Sequence, residues 1–120
     1  MPEPSNYKKM YPISWEQLHR DSKALAWRLL DMKTWKGIIA ITRGGLVPAS
    51  IIARELEIRL VDTVCVSSYD FKEMGESKIL KSVDIDDTDW LLVDDLVDTV
   101  RTAGIVRDML PKAHFATVYA

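Results

Sequence analysis

Two adjacent carboxylates, Asp94 and Asp95, stop the apolar run at residues 90–93, and a third, Asp98, follows with Thr99 before a Thr/Ala/Gly stretch opens a helical pattern. Acids at the end of a buried strand, just ahead of a helix, describe the carboxyl edge of a parallel sheet, where ligands of such folds bind in a crevice. Phosphates sit on the helix N-terminus there, because its unpaired N–H groups and its macrodipole favour anions. A second stretch, Arg43-Gly44-Gly45, directly follows the apolar run at residues 37–42 and faces the same crevice. Glycine lets backbone N–H groups approach an anion closely, and Arg43 adds a planar fork suited to phosphate. Across the crevice, Asp94 and Asp95 suit either a Mg²⁺ ion, which takes a few carboxylates plus substrate oxygens, or two ribose hydroxyls. Asp98 and Thr99 at the helix start would orient a further phosphate. The ligand so described carries an anion at each end and a diol between them. A phosphorylated sugar fits; a dinucleotide fits less well, since the chain has no G-x-G-x-x-G, and a Walker A sequence is also missing.

The elements that position these residues alternate in type. Ser14-Trp15-Glu16-Gln17 is a capping box, and Leu18, Leu25, Leu29 and Leu30 then recur with helical spacing to about residue 30. Residues 37–42 form a continuous apolar run, as in a parallel strand covered on both faces. A helix is predicted over 46–57, with Pro48 tolerated in its first turn. Strands are predicted over 61–68, 78–80, 90–93 and 115–119, a mobile loop over 69–75 and a last helix over about 102–110. This pattern predicts an α/β domain with a mostly parallel, twisted sheet flanked by helices. Residues 1–13, with three prolines and no periodicity, read as an N-terminal arm, and residues 14–120 as a single domain.

Composition narrows the rest. Sixteen basic against eighteen acidic residues give a net charge of −2, so nothing implies binding to nucleic acid. Seven aspartates lie between positions 84 and 98; Asp84, Asp86, Asp87 and Asp89 read as a solvated acidic turn rather than a cation site. Cys65, the single cysteine, reads as a buried structural thiol, and no disulfide framework is possible within one chain. His19 is placed on a polar helix face, and the tryptophans at 15, 27, 35 and 90 are expected to pack rather than stack on a ligand. No apolar run reaches membrane-spanning length and no signal-peptide core is visible, so the expected location is cytoplasmic.

Val93-Asp94-Asp95-Leu96-Val97-Asp98-Thr99 is similar to the 5-phosphoribosyl-1-pyrophosphate (PRPP) signature of type I phosphoribosyltransferases. Six further blocks in order resemble the bacterial xanthine-guanine group of that family: Trp35-Lys36-Gly37-Ile38-Ile39-Ala40, Arg43-Gly44-Gly45-Leu46-Val47-Pro48, Ala53-Arg54-Glu55-Leu56, Val61-Asp62-Thr63-Val64-Cys65, Ser67-Ser68-Tyr69-Asp70 and Pro111-Lys112-Ala113-His114-Phe115. The resemblance implies the type I phosphoribosyltransferase fold. It also implies transfer of ribose 5-phosphate from PRPP to xanthine, guanine or hypoxanthine, with release of pyrophosphate. Arg43 and Gly44 would bind the pyrophosphate, often through a non-proline cis peptide, and Asp94 and Asp95 would hold the ribose hydroxyls and Mg²⁺. Asp98 would act as the catalytic residue at purine N7. Asp98, Thr99, Val100, Arg101 and Thr102 would wrap the 5-phosphate, and Ser67, Ser68 and Tyr69 would open a flexible loop over the site.

The chain departs from that pattern in places. Val100-Arg101 stands where the family has two glycines, and Gly75 aligns with an arginine. The lysine and aromatic residue that read the base would follow Ala120, so a C-terminally short version of the fold is expected. The alternative reading is a non-catalytic PRPP- or nucleotide-binding module, or an inactive fragment, of the same fold. The resemblance further implies a homo-oligomer, tetramer or dimer, with the helix at residues 46–53 as a contact surface. Peripheral contact with the inner membrane rests on family analogy alone.

Overall fold

Residues 12–68, 77–96 and 100–119 are described by the computed structural model. Helix α1 (Trp15–Leu30) starts as the capping box predicts: Ser14 is extended, and its Oγ accepts a hydrogen bond from the Gln17 N–H at 3.1 Å. Its buried face is Ser22, Leu25, Ala26 and Leu29, spaced three and four residues apart so that one stripe meets the sheet. Trp35, buried, donates its indole N–H to the Leu29 carbonyl at 2.9 Å and closes the far end of α1. Two of the tryptophans expected to pack do not: Trp15 and Trp27 are 74% and 57% exposed. Trp27 instead lies along the surface, where its indole N–H reaches Glu55 on the next helix at 3.2 Å.

Strands β1 (Gly37–Thr42), β2 (Val61–Ser68), β3 (Ser77–Lys81), β4 (Trp90–Leu96) and β5 (His114–Tyr119) form one sheet in the order β3-β2-β1-β4-β5. β1 pairs in parallel with both β2 and β4, and β4 with β5, while β3 runs antiparallel at the edge. Helix α2 (Leu46–Leu56) follows β1, and α3 (Val100–Met109) follows β4. Both sheet faces are covered, which explains why β1 reads as an unbroken apolar run. Ile38, Ala40, Leu91 and Val93 meet α1 and α2 through Leu25, Leu29, Ala49 and Ile52. Ile39, Ile41, Val64 and Leu92 meet α3 through Val106 and Leu110. Gly37 and Trp90 are cross-strand partners, and the Trp90 ring fills the space where a Gly37 Cβ would lie.

Several expectations change on contact with the structure. Pro48, Ala49, Ile52 and Ala53 of α2 face the core, so only residues such as Leu46 and Val47 remain on that helix as an apolar surface. Glu57 ends α2 in the left-handed region, at φ 55°, while the Ile58 N–H reaches the Ala53 carbonyl at 2.8 Å. Asp87 is not a solvated turn acid. It is 6% exposed and accepts the backbone N–H groups of Lys112 and Ala113 at 2.7 and 2.9 Å, tying the α3–β5 turn to the β3–β4 connection. Asp86 is exposed and accepts from Thr88 through both side chain and backbone, which holds its carboxyl below the usual carboxylate range. Asp89, at φ 64°, pairs with Lys33 at 3.0 Å. Finally, α3 begins two residues earlier than expected, so Val100 and Arg101 adopt helical backbone. A branched Val therefore sits at the family's glycine position without needing a positive φ.

Candidate active site

Chain order reverses direction between β1 and β4. From β1 the chain passes through α2 to β2 on one side; from β4 it passes through α3 to β5 on the other. The carboxyl ends of these two neighbouring strands therefore open a crevice between them, the place where doubly wound folds bind ligands. The sequence places Arg43-Gly44-Gly45 at the first end and Asp94-Asp95 at the second.

The turn after β1 is tight. The Thr42–Arg43 peptide is cis, as the resemblance implies. The Gly45 N–H bonds to the Ile41 carbonyl at 2.8 Å, and the Leu46 N–H to the Arg43 carbonyl at 3.0 Å. A Cβ on Gly45 would lie 2.1 Å from the Val93 carbonyl oxygen, so a side chain there would collide with the backbone of β4. One residue earlier, a Cβ on Gly44 would lie 2.5 Å from Asp95 Oδ1 and 2.9 Å from Asp94 Oδ1. The glycine loop and the carboxylate pair are thus in direct contact across the crevice. Asp94 Oδ1 accepts the Asp95 N–H at 2.8 Å, which orients the first carboxylate of the pair.

A cavity of about 530 Å³ gathers Arg43, Gly44, Ser67, Asp94, Asp95 and Thr102. Arg43 is exposed at its mouth, and Thr102 projects from the first turn of α3. On the other side of Gly44 and Asp95 lies a second, more apolar cavity of about 740 Å³, walled by Ile13, Trp15, Leu18, Val47, Leu96 and Tyr119. The two cavities share Gly44, Asp95 and Leu96.

The structure brings six of the residues expected at the site, Arg43, Gly44, Ser67, Asp94, Asp95 and Thr102, to one cavity. Ser67 and Ser68, expected at the end of the strand over 61–68 and also as the start of a flexible loop, are the last paired residues of β2, opposite Lys78 and Ser77 of β3. Asp98, Thr99 and Tyr69 lie outside the described residues, and Val100 and Arg101 are placed only as the helical start of α3.

Two wall residues were not legible. Cys65, read as a buried thiol, is half-buried beside Thr42 and lines the first cavity. Leu80 lines it too. The pairing shifts register between Cys65 and Val66, which face Lys81 and Ile79, so Leu80 is the extra residue of a bulge. A bulge re-aims a side chain without any change in the sequence alternation that would announce it.

Comparison with known proteins finds relatives that share this fold. Residues 14–113 match the model of the phosphoribosyl transferase domain family. A protein of Desulfotalea psychrophila named xanthine-guanine phosphoribosyltransferase is 71% identical over 115 residues, spanning 95% of this chain and 72% of its own length. A Chromohalobacter salexigens protein of the same name is 56% identical over 114 residues, spanning 95% of this chain and 70% of its own. Among solved structures, a purine phosphoribosyltransferase from Pyrococcus horikoshii superposes with a TM-score of 0.75 at 28% identity, covering 88% of this chain and 73% of that one.

Proposed function

The chain belongs to the phosphoribosyl transferase domain family, and within it to the xanthine-guanine phosphoribosyltransferases; on that premise we propose how it moves ribose 5-phosphate from PRPP to xanthine or guanine. Hypoxanthine is a further acceptor in this reading. The observation that carries it is the contact of Gly44 with Asp95, which sets an anion-binding turn against a diol- and cation-binding pair.

PRPP spans that junction. Its pyrophosphate lies on the Arg43-Gly44 turn, and its ribose hydroxyls face Asp94 and Asp95. Its 5-phosphate sits at the start of α3, where Asp98, Thr99, Val100, Arg101 and Thr102 offer backbone and hydroxyl donors. The 6-oxopurine occupies the apolar cavity beside Leu96, and Asp98 is the residue assigned to its N7 in this reading. In the reaction the bond from ribose C1 to the pyrophosphate oxygen breaks, and a purine nitrogen takes its place. Asp98 holds the purine proton, and pyrophosphate leaves past Arg43. The ribose becomes oxocarbenium-like on the way, so water must be kept out while the bond is open.

Among the described residues no group of three or more His, Cys, Asp or Glu is placed to hold a metal alone. The donor set nonetheless fits Mg²⁺, which is satisfied by one or two carboxylates plus substrate oxygens and water. Asp94 and Asp95 would hold it, and when bound it supplies positive charge against the pyrophosphate. A homo-oligomer, dimer or tetramer, belongs to the same reading, with exposed Leu46 at its contact. So does a cytoplasmic location; no helix among the described residues is long and apolar enough to cross a membrane.

Calorimetry of PRPP with the purified chain, with and without Mg²⁺, tests the reading. Mg²⁺-dependent binding that is lost in Asp95→Asn, together with guanine- or xanthine-dependent pyrophosphate release, is the expected result. A folded chain that binds no PRPP overturns it.

A further inference from the structure

Tyr119 closes the apolar cavity from the end of β5, and it is anchored from a distant part of the chain. Its phenol donates a hydrogen bond to Asp21 Oδ2 of α1 at 2.8 Å, across 98 residues of sequence. Tyr119 and Leu96 are paired in register at the carboxyl edge of β5 and β4, so the two side chains stand next to each other on the cavity wall. Leu18, one helical turn before Asp21, lies on the same wall. The bond thus joins the first half of α1 to the strand end that borders Asp95.

We infer that Tyr119 is a positioning residue for the base: the Asp21–Tyr119 hydrogen bond holds the tyrosine ring as a preset wall beside Leu96, against which the ring of the 6-oxopurine packs. The inference rests on the phosphoribosyltransferase reading above, which places the purine in this cavity. The physics is that of preorganisation. A long side chain left to rotate must be immobilised when a ligand arrives, and that ordering subtracts from affinity. A tyrosine tethered through its hydroxyl has already lost that freedom before binding. Partial burial, followed by the neighbouring Asp21 carboxylate, pushes the Tyr119 phenol up to about 12, so the group stays a donor throughout the neutral range. Neither Asp21 nor Tyr119 lines the first cavity, on the PRPP side of Gly44 and Asp95.

The test is calorimetric titration of the full chain and its variants with two ligands, guanosine monophosphate, which carries the base, and PRPP, which does not. Tyr119→Phe keeps the ring and removes the donor; Asp21→Ala removes the acceptor. Each should weaken guanosine monophosphate by about three- to tenfold, with PRPP affinity unchanged. The double variant should be no weaker than either single one, because both remove the same bond. Asp21→Asn, whose amide oxygen still accepts from the phenol, should restore binding. Equal loss of both ligands, additive losses, or no loss would overturn the inference while leaving the phosphoribosyltransferase reading intact. A wild-type chain that binds PRPP but not guanosine monophosphate would instead overturn the placement of the base, and the inference with it.

Discussion

Gly44 lies so close to Asp95 that a methyl group on its α-carbon would sit 2.5 Å from the Asp95 Oδ1 atom. The neighbouring glycine is equally confined, but by different atoms. A Cβ on Gly45 would meet the carbonyl oxygen of Val93 at 2.1 Å and the backbone of Ile41 at 3.0 Å. The difference decides what each substitution does. A carboxylate is the free end of a short side chain and can turn away, whereas sheet backbone cannot.

Gly44→Ala should therefore fold nearly normally and bind poorly. Displacing Asp95 by about an ångström removes the carboxylate from the ribose and Mg²⁺ position, and misplacements of that size cost roughly a hundredfold in rate. Gly45→Ala should instead lose about 1–3 kcal/mol of stability, because the strand pair itself must open. Thermal unfolding alongside PRPP titration of both variants checks this; a Gly44→Ala protein with native PRPP affinity would refute the account of the crevice.

The crevice was legible because its chemistry sits in local patterns: a glycine pair after one apolar run, an aspartate pair after another. Both runs are buried on two faces, and the parallel pairing of β1 with β4 then places their ends side by side. What was not legible depends on distant partners. Asp87 looks like its neighbours Asp84 and Asp86 in sequence, and only the arrival of Lys112 and Ala113 makes it a buried structural carboxylate. Trp15 and Trp27 were read from residue type, yet helix phase turns them outward. The bulge that places Leu80 on the cavity wall is a property of strand pairing, and the same residues without it would read as plain alternation.

Asp87 yields a direct prediction. Its carboxylate is the shared acceptor for two backbone N–H groups at 2.7 and 2.9 Å, in a site 6% exposed. Asp87→Ala removes the acceptor of both donors, of which the Ala113 N–H is buried, and should cost about 1–3 kcal/mol, read as a lowered midpoint in urea. Asp87→Asn keeps an acceptor oxygen and should recover part of that. Asp84→Ala, at an exposed position, should change stability by less than about 0.5 kcal/mol.

Ser22 points the other way. It is fully buried on the core face of α1, and its hydroxyl has no hydrogen-bond partner among the described residues. A buried polar group without a partner costs desolvation free energy that the fold does not recover. Alanine removes the hydroxyl and is the better helix former. Ser22→Ala should raise stability by about 1 kcal/mol, a few degrees in Tm, without altering PRPP binding. A lower Tm would refute the cost assigned to the buried hydroxyl.

His114 gives the fold a pH dependence at the end of the sheet opposite the site. Its imidazole lies 5.5 Å from the Trp35 ring, centroid to centroid. Burial, followed by the positive charges of Lys33 and Arg107, pushes it below the usual imidazole value. The folded state thus binds this proton less readily than the unfolded chain does. Stability is full above the unfolded value of about 6.5 and is lost as pH falls through it toward the lower folded value. The carboxylates Asp62 and Asp86, both held below the usual carboxylate range, act in a separate and more acidic window. Tm measured between about pH 7.5 and 5.5 should therefore decline in the wild type, and the decline should be shallower in His114→Gln. The variant can be less stable at every pH because it loses contact with Trp35, so the slope, not the absolute Tm, is the readout. Parallel curves for the two proteins would assign the pH dependence elsewhere.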